Sequence, residues 1–159
     1  MHSNNEADFV ARRTEALAYI LLASRTDLTV MNAPNNSGVD LIVSIDNKRI
    51  RSFNHFGVVL KGAVQEIPDP RVARRVLKSL LPREVTQTSL SMPISIFLFS
   101  MVRDQGYYSW QQEPVTSDGL PRLRQHESRE CSRLDQESLQ AIVDAVNSYF
   151  DALSKVLVS

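Results

Sequence analysis

Cysteine is almost missing from this chain, with Cys131 alone among 159 residues. One thiol excludes a disulfide framework and a cysteine-built zinc cluster, and it fits a reducing, cytoplasmic setting. Glycine is scarce, at five residues, and no Gly-rich phosphate loop occurs, so no nucleotide cofactor is expected. The histidines His2, His55 and His126 are scattered without HxxxH or HExxH spacing, which leaves a zinc site unsupported. No apolar run approaches membrane-span length and the N-terminus MHSNNEADF is polar. Neither a signal peptide nor a membrane partner is therefore expected. Repeats, low-complexity tracts and long linkers are absent as well, so residues 1–159 read as a single domain.

Net charge is the last absence, because 18 basic residues balance 18 acidic ones. The balance conceals polarisation. Residues 47–83 hold nine basic residues against two acidic ones, a net of +7, while residues 1–46 hold three against six. Fields are local and screened within about 8–10 Å, so a basic middle third admits an anionic partner such as DNA.

Hydrophobic residues at 43% and charged residues at 23% are ordinary for a globular core. Residues 6–24 lack Gly and Pro and repeat apolar residues at helical spacing, which predicts a first helix. Asn32–Gly38 is a turn cluster. Val39–Ile45 is a β-branched run that reads as a strand, turned by Asp46-Asn47-Lys48; residues 50–53 begin a return strand that continues through Phe56–Leu60. Asp69 as N-cap and Pro70 in the first turn open a two-faced helix over 71–81, stopped by Pro82. Ile94–Ser100 (ISIFLFS) is apolar throughout, as expected of a central strand covered on both faces. Tyr107–Gln111 is a further strand, residues 112–133 read as irregular, and an apolar i, i+3, i+4, i+7 series predicts a C-terminal helix over about 135–158. Helix, strands, helix, strands, helix is a mixed α/β layer order.

Three ionisable residues sit where apolar ones are expected. Asp40 lies in VDLIVSI, Lys61 ends FGVVL, and Glu15 borders the Ala11, Ala18, Leu22 stripe of the first helix. Desolvating a charge costs several kcal/mol, and two carboxylates beside a lysine would suit a hard cation such as Mg²⁺ with an oriented water. Each residue also has a structural reading. Asp40 can hold backbone donors after a turn, Lys61 can extend to water, and Glu15 can pair with Arg12.

Ser37-Gly38-Val39-Asp40-Leu41, followed after a hairpin by Val58-Val59-Leu60-Lys61-Gly62, resembles the core of PD-(D/E)xK restriction-endonuclease-like domains. More narrowly, it resembles the small bacterial family called domain of unknown function 4365. In that family a helix with an inward Glu precedes a strand of the form D-x-G-x-D-L and a strand ending Q-V-K-G or E-x-K. A helix, a Pro-opened apolar strand and an aromatic strand ending Y-W follow. Glu15, Asp40, Lys61-Gly62, the helix 71–81, Met92-Pro93-Ile94 and Tyr107-Tyr108-Ser109-Trp110 carry the likeness, in order, over about residues 6–112. The resemblance implies a three-layer α/β domain with a mixed sheet flanked by helices. It also implies Mg²⁺-dependent hydrolysis of DNA, with Glu15, Asp40 and Lys61 as catalytic residues and Asp40 and Glu15 as metal ligands.

One position departs from that pattern. Val59 stands where the family has Gln or Glu, and Val59 cannot bind a metal. Two functions therefore stay open. One is a nuclease-like protein with a degenerate active site. The other is a catalytically silent module that works through a protein partner in a bacterial defence or regulatory system. Arg71, Arg74, Arg75 and Lys78 on the basic helix, with Lys48, Arg49 and Arg51 of the hairpin, are candidate phosphate contacts; the alternative is a solvated helix face. Tyr107, Tyr108 and Trp110 read better as strand core than as base-stacking residues. The long C-terminal stripe could also seat a homodimer.

Overall fold

The computed structural model describes residues 2–47, 52–81, 90–117 and 119–158. The expected hairpin cations Lys48, Arg49 and Arg51, and the helix-stopping Pro82, lie outside them. Helix α1 (His2–Ala23) is followed by strands β1 (Leu28–Asn32), β2 (Leu41–Asn47) and β3 (Ser52–Ala63). Helix α2 (Pro70–Leu80) leads to β4 (Ile94–Ser100), β5 (Gly106–Val115), β6 (Arg122–Gln125) and β7 (Ser132–Leu134), and helix α3 (Gln136–Val158) closes the chain. The seven strands form one sheet in the order β1-β2-β3-β4-β5-β6, with β7 also on β5. Among the described residues, only β3 and β4 run parallel. The connection between them passes through α2, as a parallel crossover requires.

Strand alternation sorts the core into two layers. Phe56 and Val58 of β3, with Phe97 and Phe99 of β4, face α1 and α3, where Ala18, Leu22, Leu139, Ile142 and Val146 meet them. Val59 and Ala63, with Ile94, Ile96 and Leu98, face α2 through Ala73, Val76 and Leu77. The mixed α/β architecture is thus three-layered, and all seven residues of β4 are buried. That matches a central strand covered on both sides.

Side chains bond to backbone at the starts of α2 and α3, at α2 as the sequence predicts. Asp69 Oδ1 accepts the Val72 N–H at 3.0 Å. Asp135 and Ser138 cap α3 reciprocally, with the Ser138 N–H donating to Asp135 Oδ1 and the Asp135 N–H to Ser138 Oγ, both at 2.8 Å. These bonds satisfy donors that the first helical turn leaves without partners.

Three expectations need correction. The segment Leu28–Asn32, given no element from sequence, is an edge strand. Residues 112–133 are not irregular, because β5 continues to Val115 and β6 and β7 follow. The strand expected from Val39 begins at Leu41, so Asp40 stands just before β2. Among the described residues, no helix is long and apolar enough to cross a membrane.

Candidate functional site

A cavity of about 910 Å³ opens at the end of the sheet where α1, the 33–40 loop, the end of β3 and the end of α2 meet. Glu15, Asp40 and Lys61 all line it. They come from α1, the residue before β2, and β3, so the three sequence candidates border one cavity from separate elements. Alternation along β3 turns Lys61 to the α2 side with Val59 and Ala63, and Gly62 to the α1 side. From α1, Glu6, Val10 and Thr14, with Ala7, Ala11 and Glu15, also line it. Those two rows advance by four residues along one helix face.

The helix lies very close to the sheet at this point. A Cβ built on Gly62 would stand 2.2 Å from Thr14 Oγ1 and 2.6 Å from Val10 Cγ1. Glycine is what lets α1 approach β3. The buried face of α1 is Thr14, then Ala18 and Leu22. Ala18 and Leu22 belong to the stripe expected in sequence, whereas Ala11 is exposed and Thr14 is buried in its place. Glu15 is exposed beside it. Arg12, the expected partner of Glu15, pairs instead with Asp8 at 3.5 Å.

Asp40 acts first on the backbone. Its Oδ2 accepts the Leu60 N–H at 2.7 Å, while its own N–H donates to the Val58 carbonyl at 2.9 Å and its carbonyl accepts from Ala33 at 3.0 Å. The loop reaching it turns through left-handed Asn36 (φ 63°) and Gly38 (φ 94°), conformations that Asn and Gly tolerate. Asp40 is thus pinned between β1, β2 and β3, with Oδ1 in no hydrogen bond among the described residues. Lys61 is half-buried, and no ion pair or hydrogen bond engages its amine among the described residues.

Val59 shares the strand face of Lys61, two residues earlier, but lies 8% exposed within the apolar layer under α2. Among the described residues, no group of three or more Asp, Glu, His or Cys side chains is placed to hold a metal. The available carboxylates are Asp40, with one oxygen committed to Leu60, and Glu15. Two carboxylates would be a sparse donor set for Mg²⁺, which keeps several waters and accepts one or two carboxylates. Glu6, Glu15 and Asp40 against Lys61 give the wall an acidic balance, so a phosphate enters it more easily with a cation than alone.

The basic helix divides in two. Arg71, Arg75 and Lys78 are exposed and share one face at i, i+4 and i+7. Arg74 is half-buried, and its Nε donates to the Ser128 carbonyl at 2.8 Å. It ties α2 to the 126–131 loop. The aromatic candidates belong to the core: Tyr107 donates its hydroxyl to the Ile67 carbonyl at 2.7 Å, and Tyr108 and Trp110 meet edge to face at 6.4 Å. Burial pushes the Cys131 thiol up to about 11, which makes it a poor nucleophile.

Sequence reasoning missed Glu6, Thr14, Asn32, Asn35, Asn36 and Ser79 on the cavity wall. The four-residue spacing from Glu6 to Val10 to Thr14 was the available signal. No family model, curated protein or solved structure matches the chain.

Proposed function

We propose that this chain is a nuclease-like protein directed at DNA, built on a restriction-endonuclease-like plan, with a degenerate cation site in the cavity between α1 and the sheet. The observation that carries this reading is that Glu15, Asp40 and Lys61, drawn from separate elements, line one cavity. The order α1, β1, β2, β3, α2, β4, with β3 and β4 parallel through α2, accords with the resemblance drawn from the sequence. Asp40 and Glu15 would hold Mg²⁺, which when bound polarises a phosphoryl oxygen. Lys61 would place its ammonium against the phosphate and offset charge as it develops. The exposed cations Arg71, Arg75 and Lys78 would contact backbone phosphates.

A second reading is supported by Val59, buried where the family places a ligand, and by the lack of a three-ligand group among the described residues. It is a catalytically silent module of the same plan that works through a protein partner. One set of measurements separates the two. The nuclease reading expects cleavage of single- or double-stranded DNA with Mg²⁺ or Mn²⁺, abolished by Asp40→Ala. It also expects DNA affinity that falls steeply with salt and is weakened in an Arg71/Arg75/Lys78→Ala variant. Absence of cleavage, of calorimetric cation binding and of salt-dependent DNA affinity would leave the silent module.

A further inference from the structure

The two edges of the sheet are built differently. At one, β6 and β7 are short, four and three residues, and carry Arg122, Arg124 and Arg133. Shortness and outward charge are the usual means of preventing a sheet edge from pairing with another chain. At the other edge, β1 reads LTVMN. It has no charge, no proline and no irregularity in its pairing with β2, and Met31 on it is 52% exposed.

The ladder shows which main-chain groups β1 leaves open. Ala33 donates to the Asp40 carbonyl, and Asp46 donates to the Asp27 carbonyl. Both pairs continue the β1–β2 register, in which Leu28 lies opposite Ile45 and Asn32 opposite Leu41. In an antiparallel ladder, hydrogen-bonded positions alternate. Residues 27, 29, 31 and 33 therefore bond inward to β2, and the N–H and C=O groups of Leu28, Val30 and Asn32 point outward. No partner engages those outward groups among the described residues.

We infer that β1 pairs antiparallel with β1 of a second copy of this chain, making one continuous sheet across a two-fold axis at Val30. The pattern is self-complementary, as an isologous interface requires. Val30 exchanges both main-chain bonds with its symmetry mate, and Leu28 does so with the other copy's Asn32. At the intervening position Thr29 faces the other copy's Met31, which covers that exposed side chain. The absence of charge on the strand means that no like-charge pair opposes the contact. β1 runs directly into the 33–40 loop on the cavity wall, and the same register sets Asp27 of one copy opposite Ala33 of the other. Pairing thus sets the two cavities at opposite ends of the joined β1 ladder and gives the base of each 33–40 loop a neighbour in the other copy.

Sedimentation velocity and amide hydrogen exchange on the full chain, from micromolar to millimolar concentration, test the pairing. Mass should rise from monomer to dimer, and exchange of Leu28, Val30 and Asn32 should slow with concentration while Thr29 and Met31 stay constant. Val30→Pro removes a donor that the monomer does not use, a substitution edge strands accept, and it should weaken dimerisation by about tenfold or more. Thr29→Lys with Met31→Lys sets lysines against each other at exposed positions and should do the same without touching the core. A monomer at every concentration overturns the inference. So does a dimer that survives both variants with its outward amides unprotected.

Discussion

The Leu60 main-chain N–H donates to Asp40 Oδ2 at 2.7 Å, which joins the acidic residue before β2 to the strand that carries Lys61. This bond gives Asp40 a structural task separable from any task toward a ligand. Asp40→Asn keeps an acceptor for Leu60 and should cost little stability. Asp40→Ala leaves that amide without its partner and should cost about 1 kcal/mol. Both variants remove the negative charge, so both should lose divalent-cation binding by calorimetry. Denaturant melts beside calorimetry separate the tasks. Retained cation affinity in Asp40→Asn would show that the carboxylate serves the backbone alone.

Val59 is the position at which the chain departs from the pattern it resembles, and it is packed under α2 at 8% exposure. Val59→Glu should therefore destabilise the apo protein by about 1–3 kcal/mol, the cost of an unsatisfied buried polar group. Burial disfavours the ionised form, so this penalty should grow as pH rises through the ordinary carboxylate range. Mg²⁺ should relieve it if the new carboxylate completes a site with Asp40. Val59→Gln should show the loss of stability without the pH dependence. Thermal melts of both variants across pH, with and without Mg²⁺, read this directly.

The layers of the fold were legible because burial leaves a period in the sequence. The all-apolar ISIFLFS run became the central strand, and the Asp69-Pro70 start and the α3 series appear where their caps and spacing place them. The peripheral strands left no such trace. β6 (RLRQ) sits at the edge, with three of its four residues exposed, and β5 continues through Pro114, a residue that contributes no ladder donor. β1 is short and packs one side only, so LTVMN shows little alternation beyond Leu28 and Val30. The site was legible as residue types but not as orientations. One residue of helical phase separates Thr14, which is buried, from Glu15, which is exposed, and the close crossing at Gly62 sets that phase. Arg74 looked like its neighbours until Ser128, 54 positions away, supplied its acceptor.

Acid sensitivity should be traceable in part to Asp27. Hydrogen bonds from Arg25 Nε at 2.9 Å and Nη2 at 2.8 Å hold its carboxyl below the ordinary 3.8, against a smaller opposing effect of burial. A carboxyl lowered in the folded state binds fewer protons than in the unfolded chain. Its stabilisation is therefore complete above the ordinary value and lost as pH falls through the lowered one. Arg25 also donates to Gln140 Oε1 of α3 at 2.6 Å, so the pair anchors the start of β1 to the last helix. Asp27→Asn should flatten the decline of stability below about pH 4 and leave the slope near neutrality unchanged. Urea melts from pH 2 to 7 compare the two proteins.

Gly62 should be among the least replaceable residues. Its backbone needs no left-handed conformation, so the constraint is space: a methyl group there would meet Thr14 Oγ1 at 2.2 Å and Val10 Cγ1 at 2.6 Å. Neither neighbour is the free end of a long side chain, and Thr14 is 2% exposed. Gly62→Ala must therefore push α1 away from β3, at a cost of about 1–3 kcal/mol typical of overpacking. Thr14→Ala removes the nearer obstacle, and the double variant should be more stable than the sum of the two single losses implies. A coupling of about 0.5 kcal/mol or more from a double-mutant cycle would show this. Because α1 also carries Glu15 toward the cavity, Gly62→Ala should disturb ligand binding along with stability. Thr14→Ala in the same background should recover part of both together, because Val10 Cγ1 stays at 2.6 Å.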